Sequence, residues 1–357
     1  MKRVGCTLAL GVALAACASD FGPPSSVEGV RVIAVTTDRP YASPGATVTM
    51  DLAAVDGAKA RRRDGEIPRS LDAVWITGCT NPAGDLFHQC YPALSAALDA
   101  SFGGRSSAPL DGTEPLPPFV TRGPRATFTV PKDALTSHAP ALPGAPPSGR
   151  SFVFFAVCGG RLVYERGARD VGLPLRCLDP ATGAPLGADD LVFGFVPIFV
   201  FDGLSNAPPV IAGLSFDRVP LVARACRATA ECPAGERCTR GGSCARVLAR
   251  CDAEKEADCP IHELEPQVGP EASEVDPIAT AASASAQREV VFAKTYATEG
   301  RFVRGTAVLY DTSGARAPEP FGKYTTWRAT PGEVRLYAVV YDNRGGVAWK
   351  SFDIVVE

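Results

Sequence analysis

Residues 334–356, VRLYAVVYDNRGGVAWKSFDIVV, decide the fold class. Apolar residues occupy every second position from Val334 to Val340, which is the period of a strand with one buried face. Residues 342–346 (DNRGG) then supply a turn whose residues tolerate a positive φ. Residues 349–356 return as the last strand. The segment therefore predicts an antiparallel hairpin at the end of the chain.

Further strand patterns precede this hairpin. The same alternation marks residues 48–54, 73–77 and 126–130, and residues 152–158 and 191–201 are longer apolar runs typical of strands covered on both faces. Helical periodicity is confined to residues 91–100 and to a single turn at 131–135. Short strands, Gly- and Pro-containing turns and little helix indicate an all-β protein built of β-sandwiches.

The length of the chain indicates two tandem domains. About 340 residues follow the N-terminal signal described below, which is too many for one small core. We expect one immunoglobulin-like sandwich over residues 29–205 and a second over 206–357. Residues 101–118 and 137–149 are dense in Pro, Gly and Ser, so we expect them to be long, loosely packed loop insertions.

Three segments carry a resemblance to a known type of domain. Residues 30–35 (VRVIAV) and 43–49 (SPGATVT) resemble the first two strands of bacterial immunoglobulin-like and PKD-like domains. Residues 206–211 (NAPPVI) resemble the linker that introduces another such domain, and residues 337–348 (YAVVYDNRGGVA) resemble the F–G hairpin of PKD-like repeats. The resemblance covers about a third of the chain, and it implies a fold but no ligand.

The N-terminus has the pattern of a secretory signal peptide over residues 1–16. Lys2 and Arg3 precede an apolar stretch of about 13 residues, shorter than the roughly 20 that a spanning helix needs. Residues 14–17 (LAAC) resemble the lipobox of bacterial lipoproteins, which implies lipidation of Cys17 and a flexible tether over residues 17–28. The residues after Cys17 favour the outer membrane and leave its face open. The alternative is an ordinary signal peptide.

The cysteine count indicates disulfides. Of twelve cysteines, Cys6 leaves with the signal and Cys17 carries the lipid, so ten remain in an oxidising compartment. Five disulfides and no free thiol are the expected result.

Two of these disulfides are expected in the first domain. Cys79 and Cys90 enclose a short loop, as do Cys158 and Cys177, and local pairing of each is the simplest arrangement. The alternative joins Cys79 to Cys158 across the sandwich.

The remaining six cysteines form a Cys-rich insertion over residues 225–262 of the second domain. Residues 226–244 resemble a small extracellular module of the Cys-Pro-x-Gly-x-x-Cys kind. The preferred pairs are Cys226 with Cys238, Cys232 with Cys244, and Cys251 with Cys259. A zinc site is the competing hypothesis, but the segment has no Cys-x-x-Cys and only His262 as a nearby imidazole.

Few residues suggest chemistry. The net charge of −3 shows no nucleic-acid footprint, and Arg61–Arg63 is followed by acidic residues typical of a solvated loop. The three histidines, His88, His138 and His262, lie in no catalytic motif, although a spatial Ser-His-Asp arrangement stays open. We therefore expect no enzyme, no cofactor and no resident metal.

Some carboxylates and tryptophans are candidate ligand contacts. Asp189, Asp190, Asp202 and Asp342 stand at strand ends or turns, where a calcium site is one hypothesis and solvated turn residues are the preferred one. Trp75 and Trp349 are predicted to be core residues. Trp327 with Tyr324 is the candidate ligand contact.

Together these features predict a membrane-anchored, non-enzymatic surface lipoprotein that acts as a structural or protein-interaction module. The expected contacts are the membrane through the lipid and a protein partner at loops or at the second domain, which is expected to lie farther from the anchor. The alternative is a glycan- or substrate-binding lipoprotein serving an enzyme or transporter, and an exposed Trp327–Tyr324 cluster would favour it. A hydrolase would require a histidine beside a serine or carboxylate in a cleft.

Overall fold

The computed structural model describes residues 24–57, 71–136, 146–168, 172–283 and 285–357. The predicted signal peptide, the predicted lipidation site Cys17, the predicted tether up to residue 23, the basic run at 61–63 and residues 137–145 with His138 lie outside the described residues.

The described residues form mainly β-strands, which confirms the all-β prediction. The strands are β1 (Val30–Thr37), β2 (Tyr41–Ala42), β3 (Thr47–Asp56), β4 (Asp72–Thr80), β5 (Ser107–Pro109), β6 (Val120–Arg122), β7 (Arg125–Thr129), β8 (Ser148–Cys158), β9 (Arg161–Glu165), β10 (Leu175–Leu178), β11 (Leu191–Phe201), β12 (Ile211–Phe216), β13 (Val219–Pro220), β14 (Glu236–Cys238), β15 (Cys244–Leu248), β16 (His262–Val268), β17 (Val291–Ala297), β18 (Arg301–Arg304), β19 (Thr306–Tyr310), β20 (Gly322–Thr325), β21 (Gly332–Asp342) and β22 (Val347–Val356).

Helix is confined to short segments. The α-helices are α1 (Tyr91–Ser101) and α2 (Pro277–Ala281), and single 3-10 turns lie at Ala83–Asp85, Phe87–Cys90, Ala188–Asp190, Thr229–Glu231, Glu256–Asp258 and Pro270–Ala272. Among the described residues, none of the helices is long and apolar enough to cross a bilayer.

The first domain is a sandwich of two sheets. A three-stranded sheet in the order β1-β3-β7 packs on a five-stranded sheet in the order β2-β11-β8-β4-β6. Trp75, Met50 and Phe155 lie in the core between them, and the Trp75 indole donates a hydrogen bond to the Gly123 carbonyl at 2.8 Å. The prediction that Trp75 is a core residue is confirmed.

A second layer covers the opposite face of the five-stranded sheet. Leu94 and Leu98, one turn apart on α1, pack there with the small sheet β10-β9-β5. Phe102, Ala108 and Leu110 are also buried in this layer. The expectation of a loosely packed loop is therefore wrong for this part of residues 101–118. The buried apolar side chains hold the segment against the layer despite its Pro and Gly residues.

The second domain is a sandwich of a five-stranded sheet, β13-β12-β16-β20-β18, and a six-stranded sheet, β14-β15-β22-β21-β17-β19. The predicted hairpin is β21 and β22, with Val334 opposite Ile354 and Val340 opposite Ala348. Val334, Leu336, Ala338 and Val340 point into the core. Gly345 has a φ of 94° in the turn, a conformation that glycine adopts without strain.

The Cys-rich segment is part of this second sheet. Strand β15 pairs in parallel with β22, from Arg246 opposite Ile354 to Leu248 opposite Val356. Leu248 is buried in the domain core. The insertion therefore extends the sheet and supplies a core side chain.

The two domains pack through an apolar seam, formed by Val27, Ile33, Ala34, Tyr337 and Val339. The first three side chains precede or belong to β1, and the last two lie on the face of β21 that points away from its own core. Because both faces of β21 are buried over this stretch, its outer face serves as a docking surface for the first domain.

The segment before β1 takes part in this packing. Val27 N–H donates to the Ala297 carbonyl at 3.0 Å, and Ala297 N–H donates to the Ser25 carbonyl at 3.0 Å. A side chain at Gly57 would collide with the Val27 carbonyl. The expectation of a free tether is thus wrong for residues 24–28, since buried Ser25 and Val27 hold them against the second domain. Residues 24–28 therefore lie at the seam and contact the second domain as well as the first.

A second contact between the domains is polar, and we call it the Arg344 cluster (Arg344, Tyr41, Glu289, Asp342 and Asn206). Arg344 Nε donates to the Tyr41 hydroxyl at 2.7 Å, and the guanidinium lies 4.5 Å from the centre of the Tyr41 ring. Asp342 accepts hydrogen bonds from the backbone of Arg344 at 2.8 Å and from the Asn206 amide at 3.2 Å. The arginine therefore joins the first domain to the hairpin turn of the second.

Glu289 is the carboxylate of this cluster that faces Arg344. Its side chain is fully buried, and its Oε1 lies 2.8 Å from Arg344 Nη1. The Arg344 N–H is not directed at that oxygen, so the contact is an ion pair without a well-aligned hydrogen bond. Burial, with the nearby charge of Asp342, raises the pKa of Glu289 to about 7.

Candidate interdomain binding groove

A groove runs along the seam between the domains. Its central part is a cavity of about 900 Å³, flanked by cavities of about 380 Å³ and 330 Å³. The central cavity shares Gly57 and Thr298 with one neighbour, and Val55 and Tyr337 with the other. Because the cavities share lining residues, they form one continuous surface, which we call the interdomain groove.

The floor of the groove is the outer face of the β21–β22 hairpin. Arg335 lies opposite Asp353, and Tyr337 lies opposite Ser351. Side chains alternate across a strand, so the period that buries Leu336 points these residues outward. Strand β3 forms one wall, and residues 227–240 of the Cys-rich segment form the other.

Trp349 lies in the smallest of the three cavities and is 40% exposed. The prediction that it belongs to the core is wrong. It lies on the outer face with Ser351, while Lys350 occupies the alternate position and donates its ammonium group to the Ala212 carbonyl at 3.0 Å. A lysine on the core side and a tryptophan on the outer side reverse the usual polarity, which is why the sequence pattern misassigned Trp349.

The floor and walls carry several arginines. Arg335 forms a bidentate ion pair with Asp353, with Nε–Oδ1 at 2.7 Å and Nη2–Oδ2 at 3.0 Å. This pairing raises the pKa of Arg335. Arg237 pairs with Glu357 at 2.7 Å. Arg227 and Arg240 also line the central cavity, and both are exposed. The charged side chains of the floor are thus largely paired with one another. Those of the wall formed by residues 227–240 are less fully paired.

The predicted Trp327–Tyr324 ligand contact is not formed. Tyr324 is fully buried, and its hydroxyl donates to the Glu299 carbonyl at 3.0 Å. Trp327 is half-buried, and its indole N–H donates to the Ala253 carbonyl at 3.0 Å. Arg328 covers the Trp327 ring at 4.6 Å from its centre. Trp327 lines the second cavity, but its polar atom supports the loop closed by Cys251 and Cys259.

The ten described cysteines form five disulfides. The pairs are Cys79–Cys90, Cys158–Cys177, Cys226–Cys238, Cys232–Cys244 and Cys251–Cys259. These are the local pairs expected in the first domain and the pairs preferred for the Cys-rich segment, and the alternative bridge from Cys79 to Cys158 is not formed.

His262 is the histidine placed closest to other ionisable groups. Its Nδ1 lies 2.9 Å from Asp217 Oδ2, and its ring stacks on Phe216 at 5.4 Å between centres. Arg246 lies 3.7 Å from the same carboxylate. Within the described part of the chain, no hydroxyl or thiol is hydrogen-bonded to His262. His88 is exposed beside Gln89. The His262–Asp217 pair therefore joins strand β16 to the turn that follows β12.

The carboxylates considered for calcium do not lie together. Asp342 belongs to the Arg344 cluster, whereas Asp189 and Asp202 are exposed and Asp190 is buried in the first domain. In the described ranges, one group of metal-ligating atoms lies close together, the sulfurs of Cys226, Cys232 and Cys244, within 4.8 Å of one another. These sulfurs belong to two disulfides, and a metal would require free thiolates.

Comparisons with known proteins give little beyond this description. No known protein-family profile and no curated protein matches the chain. Among solved structures, Escherichia coli alpha-2-macroglobulin activated by porcine elastase is 12% identical, with a TM-score of 0.20 over 94% of this chain and 23% of that one. The fibronectin(III)-like modules of Clostridium thermocellum CbhA are 11% identical, with a TM-score of 0.17 over 91% of this chain and 94% of theirs. Scores this low carry no argument, and this chain spans about a quarter of the macroglobulin.

Proposed function

We propose that the chain is a lipid-anchored, non-enzymatic surface protein that binds a protein partner in the interdomain groove. The exposed indole of Trp349 carries the proposal. Tryptophan is enriched among the residues that contribute most to binding between proteins, particularly when it lies beside other aromatic and arginine side chains. Tyr337 and Arg335 line the same cavity.

The groove is suited to binding because its walls are held in place. The apolar seam fixes β3 against the hairpin, and pairing of β15 with β22 fixes the Cys-rich wall. Cys226–Cys238 and Cys232–Cys244 further restrict that wall. A preformed surface binds at a lower entropic cost than one that must be ordered on contact.

The proposed anchor rests on the lipobox-like residues 14–17 and on the five disulfides, which are typical of exported proteins. Residues 25–27 are packed at the seam, so an anchor at Cys17 would place the seam, with the groove beside it, near the membrane. Cys17→Ala is expected to release the protein from membranes, as measured by fractionation and immunoblotting. Continued membrane retention would contradict the anchor.

In-cell cross-linking tests the groove. A photo-reactive amino acid at Ser351 should capture a partner protein, whereas the same group at Thr306, an exposed position of β19 outside the groove, should not. Trp349→Ala should reduce capture from position 351 at least tenfold, and Val308→Ala on β19 should leave it unchanged. Equal capture from both positions, or capture unaffected by Trp349→Ala, would contradict the proposal. If the captured molecule is a glycan and its capture depends on Trp349, the glycan-binding alternative would replace the proposal of a protein partner.

A further inference from the structure

Strand β11 lies at the side of the five-stranded sheet of the first domain. Strand β8 pairs with all of its eleven residues. On the other side, β2 pairs with it at Phe199 and Val200 only, and a side chain at Gly345 in the second domain would lie 3.9 Å from the Pro197 carbonyl oxygen. Among the described residues, 191–197 therefore have a strand neighbour on one side alone. We call this stretch the β11 edge.

The odd-numbered residues of the β11 edge direct their backbone groups away from β8. Arg150 of β8 donates its N–H to Asn81 Oδ1 and accepts the Asn81 N–H at its carbonyl, both at 2.7 Å, so its backbone faces the β4 side. Backbone direction alternates along antiparallel strands, so the β11 residues opposite even-numbered β8 residues face outward. These are Phe193, Phe195 and Pro197. Proline has no N–H to donate, and it is tolerated where its nitrogen faces an open edge.

The side chains of the β11 edge are apolar as well. None of the eleven residues of β11 is charged or polar. The rings of Phe193 and Phe195 are half-buried, and Phe195 stacks on Phe87 at 4.1 Å between centres. Leu86, next to Phe87 in the chain, is 47% exposed. Edge strands are commonly protected by charged residues that oppose pairing with another strand. The β11 edge has no such charge, so it can accept a further strand.

The sequence of the β11 edge is symmetric about Gly194. Residues 192–196 read Val-Phe-Gly-Phe-Val in both directions, and Gly194 is also the midpoint of residues 191–197. A two-fold axis through Gly194 would make two copies of the strand antiparallel and would place Phe193 of one copy opposite Phe195 of the other. A two-fold dimer requires a surface that is its own complement, and the β11 edge has this property.

We infer that the β11 edge pairs with the β11 edge of a second copy of this chain, antiparallel and about a two-fold axis through Gly194. Phe193 and Phe195 of the second copy then exchange both N–H···O=C bonds, because both residues face outward. Their rings meet across the junction as a cross-strand pair. Gly194 pairs with its own copy on the axis. Since the axis uses the same edge of both copies, the assembly closes at two.

This inference does not depend on the interdomain groove, which lies on the outer face of the β21–β22 hairpin. The dimer joins first domains through the side of one sheet, whereas the groove is formed between the two domains of one chain. Failure of either proposal therefore leaves the other standing.

Sedimentation velocity of the purified chain tests the inference. The natural chain should show a dimer whose fraction rises with concentration. Phe193→Lys and Phe195→Glu should each weaken dimerisation by about tenfold, because each places a charge opposite an aromatic ring of the second copy. Circular dichroism of each variant should match that of the natural chain, which shows that the variant is folded.

Mixing the two variants tests the antiparallel register. In a mixed dimer, the lysine introduced at position 193 of one copy lies opposite the glutamate introduced at position 195 of the other, and the unchanged Phe195 and Phe193 form the second pair. The mixture should therefore recover a dimer within about threefold of the natural affinity, since opposite charges attract across strands. Native mass spectrometry identifies the mixed dimer. Loss of dimer in both variants without recovery in the mixture would overturn the two-fold register.

Val308→Lys is the matched control. It places a lysine at an exposed position of another edge strand, β19, where Val308 is 43% exposed. Dimerisation should change by less than about twofold, because β19 is not part of the β11 edge. Equal weakening by Val308→Lys and Phe193→Lys would overturn the inference. A natural chain that stays monomeric up to about 100 μM would overturn it as well.

Discussion

The apolar seam and the Arg344 cluster join the same two domains by opposite means. The seam buries aliphatic and aromatic side chains that need no specific partner. The Arg344 cluster buries a guanidinium and two carboxylates, Glu289 and Asp342, whose stability depends on each of the others. A seam residue can be truncated at the cost of its own contacts, whereas removal of one charge leaves another buried and uncompensated. Truncation of a seam residue should therefore cost less stability than removal of a charge from the cluster.

Arg344→Ala is expected to have the largest effect. It removes the charge that faces Glu289 and the donor to Tyr41, and loss of one partner of a buried ion pair costs about 3–5 kcal/mol. Urea denaturation of the purified protein should show this loss at pH 7, together with greater protease sensitivity between the domains. Arg335→Ala, which removes an exposed arginine of the same hairpin, should cost less than about 1 kcal/mol. A similar loss in both variants would contradict the contrast.

The seam gives the second prediction. Ile33→Ala removes a buried aliphatic side chain between the domains, and such truncations cost about 2–4 kcal/mol. The loss should be the same at pH 5 and pH 8, because no ionisable group of the seam changes charge with the substitution. Denaturation at the two pH values measures it. A loss that changes by more than about 1 kcal/mol with pH would show that the seam and the cluster are coupled.

The sequence predicted the parts of this arrangement that depend on local pattern. The hairpin was predicted because alternating residues such as Val334 and Leu336 face one core. The helix α1 was predicted for the same kind of reason, and the two local disulfides of the first domain followed from spacing. Patterns of this kind contain the information within a few residues of the element itself.

The parts that were missed depend on distant residues. Residues 342–346 have the composition of a solvated turn, yet Arg344 is buried because it meets Tyr41, 303 positions earlier in the chain. The outer face of β21 has two tyrosines and one valine, Tyr337, Tyr341 and Val339, that could have packed inside one domain or between two. Trp349 is misassigned to the core for the same reason. No local pattern shows which face of a strand a second domain will cover, so the interdomain groove could not be predicted from the sequence.

The pH dependence of the cluster gives the smallest expected effect and the sharpest contrast with the seam. The folded protein holds the Glu289 proton more tightly than the unfolded chain, because burial raises the pKa from an ordinary value near 4.5 to about 7. Between these two values unfolding releases a proton, so the stability contributed by this group falls as pH rises through the window and is constant above it.

Glu289→Gln removes this titration while keeping the shape of the side chain. The stability of the natural protein relative to Glu289→Gln should therefore decrease by about 2 kcal/mol from pH 4.5 to pH 7. Asp342, whose pKa burial also raises, is present in both proteins, so the difference isolates Glu289. Glu114→Gln, at an exposed carboxylate paired with Arg105, is the control and should show no such trend. A constant difference across this range would mean that Arg344 keeps Glu289 ionised and that the Arg344 cluster is a permanent ion pair. The apolar seam and the cluster would then differ in the cost of a substitution but not in pH dependence.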